Sequence, residues 1–559
     1  MHETRDVPPP PRRRLLFPRN KRAKFPWRLL VLLALLFSVI VAGPVIVCHR
    51  RQRTRGLTAG FPPPVPEANV PALGVNVDLS QYDGRGLEEI LSTLTEGQFV
   101  WIRQSFFWSE IGHTDAADGF DWSEADQLME AVKDFPPLRL IAVLEDDPPV
   151  PPKDPDAFAR FAGAFAERYG NWVDYYQIWD EPNLADQWGG GPVNAVAYAD
   201  LLARSGRLIR LADPDARMLL AGLAPTVEIG PQNLSEWRYL ERLYEAGAGS
   251  YFDIVAAKPY GFDTRANDRR VDESLLNVSR VVLLREVMVA NGDSTSAIWA
   301  SHWGWNALPA GWQGGPSIWG QTDEETQARE SVALLERARE EWPWMGAMII
   351  ENLQPRRPTG ASWDNLEDPR WGFALLAADG TPRPVFHSLK AWARSRPQAA
   401  PVGGYPADNR WATYEDSWVV GPLGADPRPG PPDSATGSST SDRMEFRLDG
   451  SAVALTVRRG PYRGFLYVTV DGRPANRLPR DSDGRSYVVL YDKEWRRATI
   501  PLATGLEPGV HSVEVVAEGG QGHWPIVDWR VSAEPATVNT LAALTALGVA
   551  AVILAALAG

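Results

Sequence analysis

Between Ala72 and Pro397, short apolar runs alternate with stretches of helical periodicity, and this alternation constrains the fold more than any other feature of the chain. A short apolar run between helical stretches reads as a strand buried on both faces, the mark of βαβ units around a parallel sheet. Eight such strands are predicted: Ala72–Val77, Phe99–Arg103, Leu138–Leu144, Tyr175–Trp179, Arg217–Leu223, Phe252–Ala257, Ala297–Ser301 and Gly346–Ile350. The helices between them are amphipathic. Asp156–Tyr169 places Phe158, Phe161, Ala162 and Phe165 on one face, and Leu234–Ala246 and Thr322–Ala338 behave alike. Eight strands with crossover helices predict a (β/α)8 TIM barrel over residues 72–397. The alternative, an open doubly wound sheet, lacks the glycine-rich phosphate loop that normally follows its first strand.

Beyond Pro397 the periodicity changes to two. Met444–Leu448, Ala452–Val457, Phe465–Val470, Tyr487–Tyr491 and Ser512–Val516 read as strands, with turns at Asp471-Gly472 and Glu507-Pro508-Gly509. An all-β sandwich or jelly roll is expected over 398–535, interrupted by a linker at Asp426–Ser441 rich in Pro, Ser and Gly. At the N-terminus a basic tail, 1–28, precedes an uncharged apolar run at 29–48, long enough to cross a bilayer, and a Pro-rich linker follows at 49–71. Residues 536–559 carry a second apolar run from Leu541 to Gly559. Terminal transmembrane segments are therefore expected. The excess of Lys and Arg before Leu29 orients the tail to the cytoplasm, with the barrel extracytoplasmic at the cell membrane. A net charge of −13 argues against nucleic acid as a partner. Cys48 is the single cysteine, so neither a disulfide framework nor a cysteine-based zinc site is expected. No metal or other cofactor is predicted.

Active sites of (β/α)8 barrels lie at the carboxyl ends of the strands. The fourth strand ends in Trp179-Asp180-Glu181-Pro182-Asn183, two adjacent carboxylates at a rim where desolvation against Trp179 can raise an acid toward proton-donor duty. This string resembles the Trp-Asn-Glu-Pro-Asn signature of clan A glycoside hydrolases of the cellulase and β-xylosidase type. Trp101-Ile102-Arg103, Phe120-Asp121-Trp122, Glu167-Arg168-Tyr169-Gly170 and Asp379-Gly380-Thr381-Pro382-Arg383-Pro384 extend the resemblance over most of 72–397. The stretches around Val470-Asp471-Gly472 and Gly509-Val510-His511-Ser512-Val513 resemble galactose-binding-like jelly-roll modules. The resemblance implies a glycan or polysaccharide partner, Glu181 as acid/base, and Arg103 beneath the catalytic carboxylate.

The resemblance breaks at four positions. His302 stands where the seventh strand should carry the nucleophilic Glu. Lys258, in Lys258-Pro259-Tyr260, replaces a His, Asp180 replaces the usual Asn, and Glu351 stands on the eighth strand where an aromatic is expected. Either Glu351 has taken over as base of an inverting hydrolase, or the barrel binds glycans without turnover. The candidate catalytic residues are Glu181, Glu351 and His302, and the candidate substrate contacts are Arg103, Asp180, Lys258, Tyr260, Trp303 and Trp305. Trp188, Trp312 and Trp319 join the last two as possible stacking platforms. Glu145-Asp146-Asp147 reads as a solvated acidic loop, with a cation or sugar hydroxyls as its alternative ligands.

Overall fold

The computed structural model describes Arg55 and residues 60–112, 119–312, 314–356, 368–395, 397–415, 418–427 and 442–533. Both terminal apolar runs, the basic tail and most of the linker at 426–441 lie outside the described residues. Among the described residues no helix is long and apolar enough to cross a membrane.

Eight parallel strands close into a barrel in sequence order: β1 (Leu73–Asn76), β2 (Trp101–Phe107), β3 (Arg139–Glu145), β4 (Tyr175–Ile178), β5 (Arg217–Leu219), β6 (Ile254–Ala257), β7 (Ala297–Ala300) and β8 (Met345–Ile350), with β8 pairing back onto β1. The helix predicted from 156 spans Pro155–Tyr169. Asp154 caps it by accepting from the N–H groups of Asp156 and Ala157, and Phe158, Phe161, Ala162 and Phe165 are fully buried. The differences from the expected strands are at the ends. Strands β2 and β3 run on to Phe107 and Glu145, beyond the apolar residues that marked them.

Side chains of a strand alternate between two faces. In this barrel the inward set forms layers. The floor consists of Trp101, Ile141, Tyr175, Leu219, Ile254, Trp299 and Ile349. Trp299 stacks on Tyr175 at 5.0 Å and meets Trp101 at 4.9 Å between ring centroids. Their polar edges are satisfied by the Pro-rich linker rather than by the barrel. Trp101 Nε1 donates to Pro71 O, Trp299 Nε1 to Glu67 O (both 2.7 Å), and the Tyr175 hydroxyl to Glu67 Oε2 at 2.8 Å. The linker is thus a plug under the floor, not a free spacer.

After the barrel come two six-stranded antiparallel sheets. One is built around Asp442–Asp449, Val510–Gly519 and Gly464–Val470, the other around Ile526–Ser532, Ala452–Arg459 and Arg496–Thr504. Met444, Phe446 and Leu448 alternate inward against Trp529, as period two requires. The predicted turn at Asp471-Gly472 has both residues in the left-handed region, φ 52° and 69°, the form that matches sheet twist and that Gly tolerates without strain. A largely apolar cavity of about 600 Å³ lies at the amino end of the barrel, lined by Val65, Trp342, Met345, Tyr405 and Trp411.

Candidate active site at the barrel mouth

Two residues beyond several of the floor positions the same inward face carries a polar side chain. Arg103 follows Trp101, Gln177 follows Tyr175, and Glu351 follows Ile349; Asn76, Lys258 and Ser301 join the same layer. A period of two therefore turns an apolar floor into a polar mouth. Asn76 stitches the layer by donating to Ser301 O and Ile350 O at 2.8 and 2.9 Å and accepting from Arg103 Nη1 at 2.9 Å.

At the end of β4 the chain bends sharply. Trp179 and Glu181 have φ of 66° and 48°, left-handed values that cost a non-glycine residue about 1–3 kcal/mol each. The cost is offset by fixed contacts. Trp179 is buried with its indole N–H donating to Gln187 O, and Glu181 N–H donates to Gly222 O. The Asn183 side chain, fully buried, donates to Ala224 O and Leu234 O and accepts from Ala224 N–H. The motif is thus a bracket that aims two carboxyl groups into the mouth. Gly222 is part of the bracket, because a Cβ there would lie 2.5 Å from Ser301 Oγ and 2.8 Å from Asp180 Oδ1.

Lys258 Nζ sits 2.7 Å from both Asp180 Oδ2 and Glu181 Oε1, and Arg103 Nη2 is 3.0 Å from Asp180 Oδ1. Burial pushes the Asp180 carboxyl up, but the charges of Lys258 and Arg103 outweigh it and hold Asp180 below the usual carboxylate range. Burial opposes the Lys258 charge too, and the two carboxylates reverse that and raise it. Glu181 faces the Lys258 ammonium rather than an apolar wall.

His302 lies beside the same cations, and burial, together with Lys258 and Arg103, holds it well below its ordinary range. Arg103 Nη1 lies 3.4 Å from Nε2 and can only donate, which places the ring proton on Nδ1, 3.3 Å from Ser301 Oγ. Both ring nitrogens of His302 thus have partners within the protein.

The open part of the mouth is a polar cleft of about 1000 Å³ lined by residues that include Arg103, Ser105, Glu145, His302, Glu351 and Arg356. Glu351 accepts from the Tyr260 hydroxyl at 2.5 Å, and burial raises its carboxyl despite that bond. Glu145 accepts from the Ser105 hydroxyl at 2.6 Å. Burial and the negative charge of Asp180 push it up to about 7. Its place as a solvated loop residue is corrected: Ile141, Val143 and Glu145 alternate inward, and the third strand ends one residue later than its apolar run. Asp146 and Asp147 do lie at the loop surface. Arg356 contacts Asp78 Oδ2 at 2.9 Å and Glu110 Oε1 and Asp147 Oδ2 at 3.0 Å, with its guanidinium 4.5 Å from the Phe107 ring. No motif marked Arg356, Ser105 or Asn76; the inward alternation of β1 and β2 was the signal available for the last two. Among the described residues no group of His, Cys, Asp and Glu is arranged to hold a metal ion.

Trp303 and Trp305 do not serve as stacking platforms. They are 0% and 2% exposed, and the Trp305 indole donates inward to Thr264 O. Trp188 is also buried, against Trp179. Trp312 and Trp319 keep partial exposure, and Trp319 packs beside Tyr260 and Phe373.

No protein-family model matches the chain, and no curated protein matches it either. Solved structures do. A family 39 glycoside hydrolase from the gut symbiont Bacteroides cellulosilyticus WH2 aligns over 81% of this chain and 83% of its own, at 14% identity and a TM-score of 0.45. A monomeric β-xylosidase from Caulobacter crescentus CB15 aligns over 82% and 98%, at 15% identity and a TM-score of 0.43. A GH30 endoxylanase from Clostridium papyrosolvens C71 aligns over 83% and 99%, at 11% identity and a TM-score of 0.38.

Proposed function

We propose that the barrel mouth hydrolyses O-glycosidic bonds of a polysaccharide or other glycan by a single displacement, with no glycosyl-enzyme intermediate. The observation that carries the reading is the pair Glu145 and Glu351. Both line one polar cleft at the carboxyl end of the barrel, both are held by hydroxyls instead of cations, and burial raises both carboxyls, Glu145 to about 7. Two carboxyl groups on opposite sides of a scissile bond, one as acid and one as base for a water, make an inverting hydrolase. The sugar class is supported by the Trp179–Asn183 string and its partners along the barrel. A second reading, glycan binding without turnover, is favoured by one observation: Lys258 neutralises the carboxylate at the usual acid position, while His302 stands at the nucleophile position.

The test is a screen of full-length protein in detergent micelles against plant, bacterial and fungal polysaccharides. Reducing ends should appear, and proton NMR of the first product should show inversion at the anomeric carbon. Saturable binding with no released ends would favour the second reading. An adduct trapped on any seventh-strand residue would defeat the proposal.

The reading includes a place for the protein. The uncharged run at 29–48, preceded by a basic tail, supports a membrane anchor with the barrel outside the cytoplasm, and the run at 541–559 supports a second attachment. Protease added to intact cells should cleave the barrel domain; protection until the membrane is broken would reverse the orientation.

A further inference from the structure

We infer that Glu145, at the end of β3, is the group that protonates the departing glycosidic oxygen, in place of Glu181. The inference rests on the hydrolytic reading above and adds to it the identity of the acid. It comes from asking what each carboxylate around the mouth is paired with. Asp180 and Glu181 share Lys258, and Asp180 also meets Arg103. Asp78, Glu110 and Asp147 share Arg356. Asp146 accepts from the backbone N–H groups of Ser109 and Asp147 at the loop surface. Glu351 accepts from Tyr260, a geometry that suits the ionised base. Of the carboxylates lining the cleft among the described residues, only Glu145 and Asp146 carry neither cation nor phenol; Asp146 is taken up by backbone N–H groups, whereas Glu145 is held by the Ser105 hydroxyl through Oε1. Its second oxygen is available to a ligand in the cleft.

The step balances without a co-reactant. The Glu145 carboxyl proton passes to the glycosidic oxygen as the bond from that oxygen to the anomeric carbon breaks. A water oxygen bonds to the anomeric carbon from the opposite side, and its proton passes to Glu351. Both carboxyl groups then return to their starting states by exchange with solvent. The charged groups facing Glu145 are Asp180 beyond β4, which favours the protonated acid, and Arg103 on β2 and Lys258 beyond β6, which oppose it. Arg356 beyond β8 is occupied by the neighbouring acids.

The test uses full-length protein in detergent with phenyl and 2,4-dinitrophenyl glycosides of xylose, glucose, galactose and mannose, in both anomers. A poor leaving group needs the acid and a good one does not. Glu145→Gln should therefore lower phenyl glycoside hydrolysis by about 10²–10⁴ and leave the dinitrophenyl rate nearly unchanged. In the unsubstituted protein the phenyl rate should fall as pH rises through about 7, and Glu145→Gln should remove that limb. Ser105→Ala, a milder change, takes away a hydrogen bond that favours the carboxylate, so the limb should move to higher pH. Turnover that is indifferent to Glu145→Gln, or a leaving-group dependence that appears in Glu181→Gln instead, would overturn the assignment while leaving the hydrolytic reading intact. No turnover of any probe or polysaccharide by the unsubstituted protein would overturn both.

Discussion

The two halves of the barrel mouth handle negative charge in different ways. Around β4 and β6, Asp180 and Glu181 are neutralised by Lys258 and Arg103 at 2.7–3.0 Å. Around β3 and β8, Glu145 and Glu351 are held by the hydroxyls of Ser105 and Tyr260. A cation stabilises the ionised carboxylate and fixes its charge. A hydroxyl in a partly buried site leaves the protonated and ionised forms close in free energy. The first half is suited to holding shape, and the second to exchanging protons.

The largest effect should come from the proton-exchanging half. Glu351→Gln removes the base proposed for water, and hydrolysis should fall by about 10²–10⁴ with the melting temperature little changed; an unaffected rate would remove the distinction between the halves. Lys258→Met tests the other half. It strands two carboxylates beside Arg103 in a buried setting, and such breaks cost about 3–5 kcal/mol. Denaturant titration should show the loss, and a change below about 1 kcal/mol would mean that the ion cluster is not what holds the mouth.

A pH dependence of stability sharpens the contrast without any substrate. The folded-state value of Glu145 is raised from 4.5 to about 7. Native protein therefore keeps a proton that the unfolded chain releases. Its contribution is fully present below about 4.5 and is lost as pH rises to about 7. Glu145→Gln, which cannot ionise, should match the unsubstituted protein at pH 4 and exceed it at pH 8. At 1.36 kcal/mol per unit, reduced for partial exposure, the gain is about 1–2 kcal/mol. Equal stability at both pH values would show that Glu145 ionises like a surface carboxylate. The smallest effect belongs to the outer helices. Arg168 and Asp126 form a two-bonded pair that is over 40% exposed. Arg168→Ala should cost about 0.2–1 kcal/mol, less in high salt, which sets the scale against which Lys258 is judged.

All eight barrel strands and the change to antiparallel strands after them were legible in the sequence, because buried strands and amphipathic helices leave periodic traces. Parts of the mouth were legible through the Trp179–Asn183 string and through Arg103, Lys258, Tyr260, His302 and Glu351; the string itself forms a bracket, with Trp179 and Asn183 buried and hydrogen-bonded and Glu181 ion-paired. Glu145 reads as a loop residue because hydrophobicity marks where a strand's apolar residues stop and not where its hydrogen bonds stop. Trp303 and Trp305 were misplaced for a related reason. Residues past a strand end read as loop, yet here both are buried, Trp305 against Gly261. Lys258 is visible in the sequence, but its partners lie 77 and 78 residues away, and that proximity exists only once the barrel closes.

Arg356 shows how such closure ties distant segments together. One guanidinium is divided among acids that follow three different strands, at positions 78, 110 and 147. The three loops therefore draw on the same cation. Loss of one acid frees donors that the other two can claim, so substitutions there should not add: the cost of removing two should differ from the sum of removing each. A change at any one of these acids is therefore felt at the cleft wall formed by the other two.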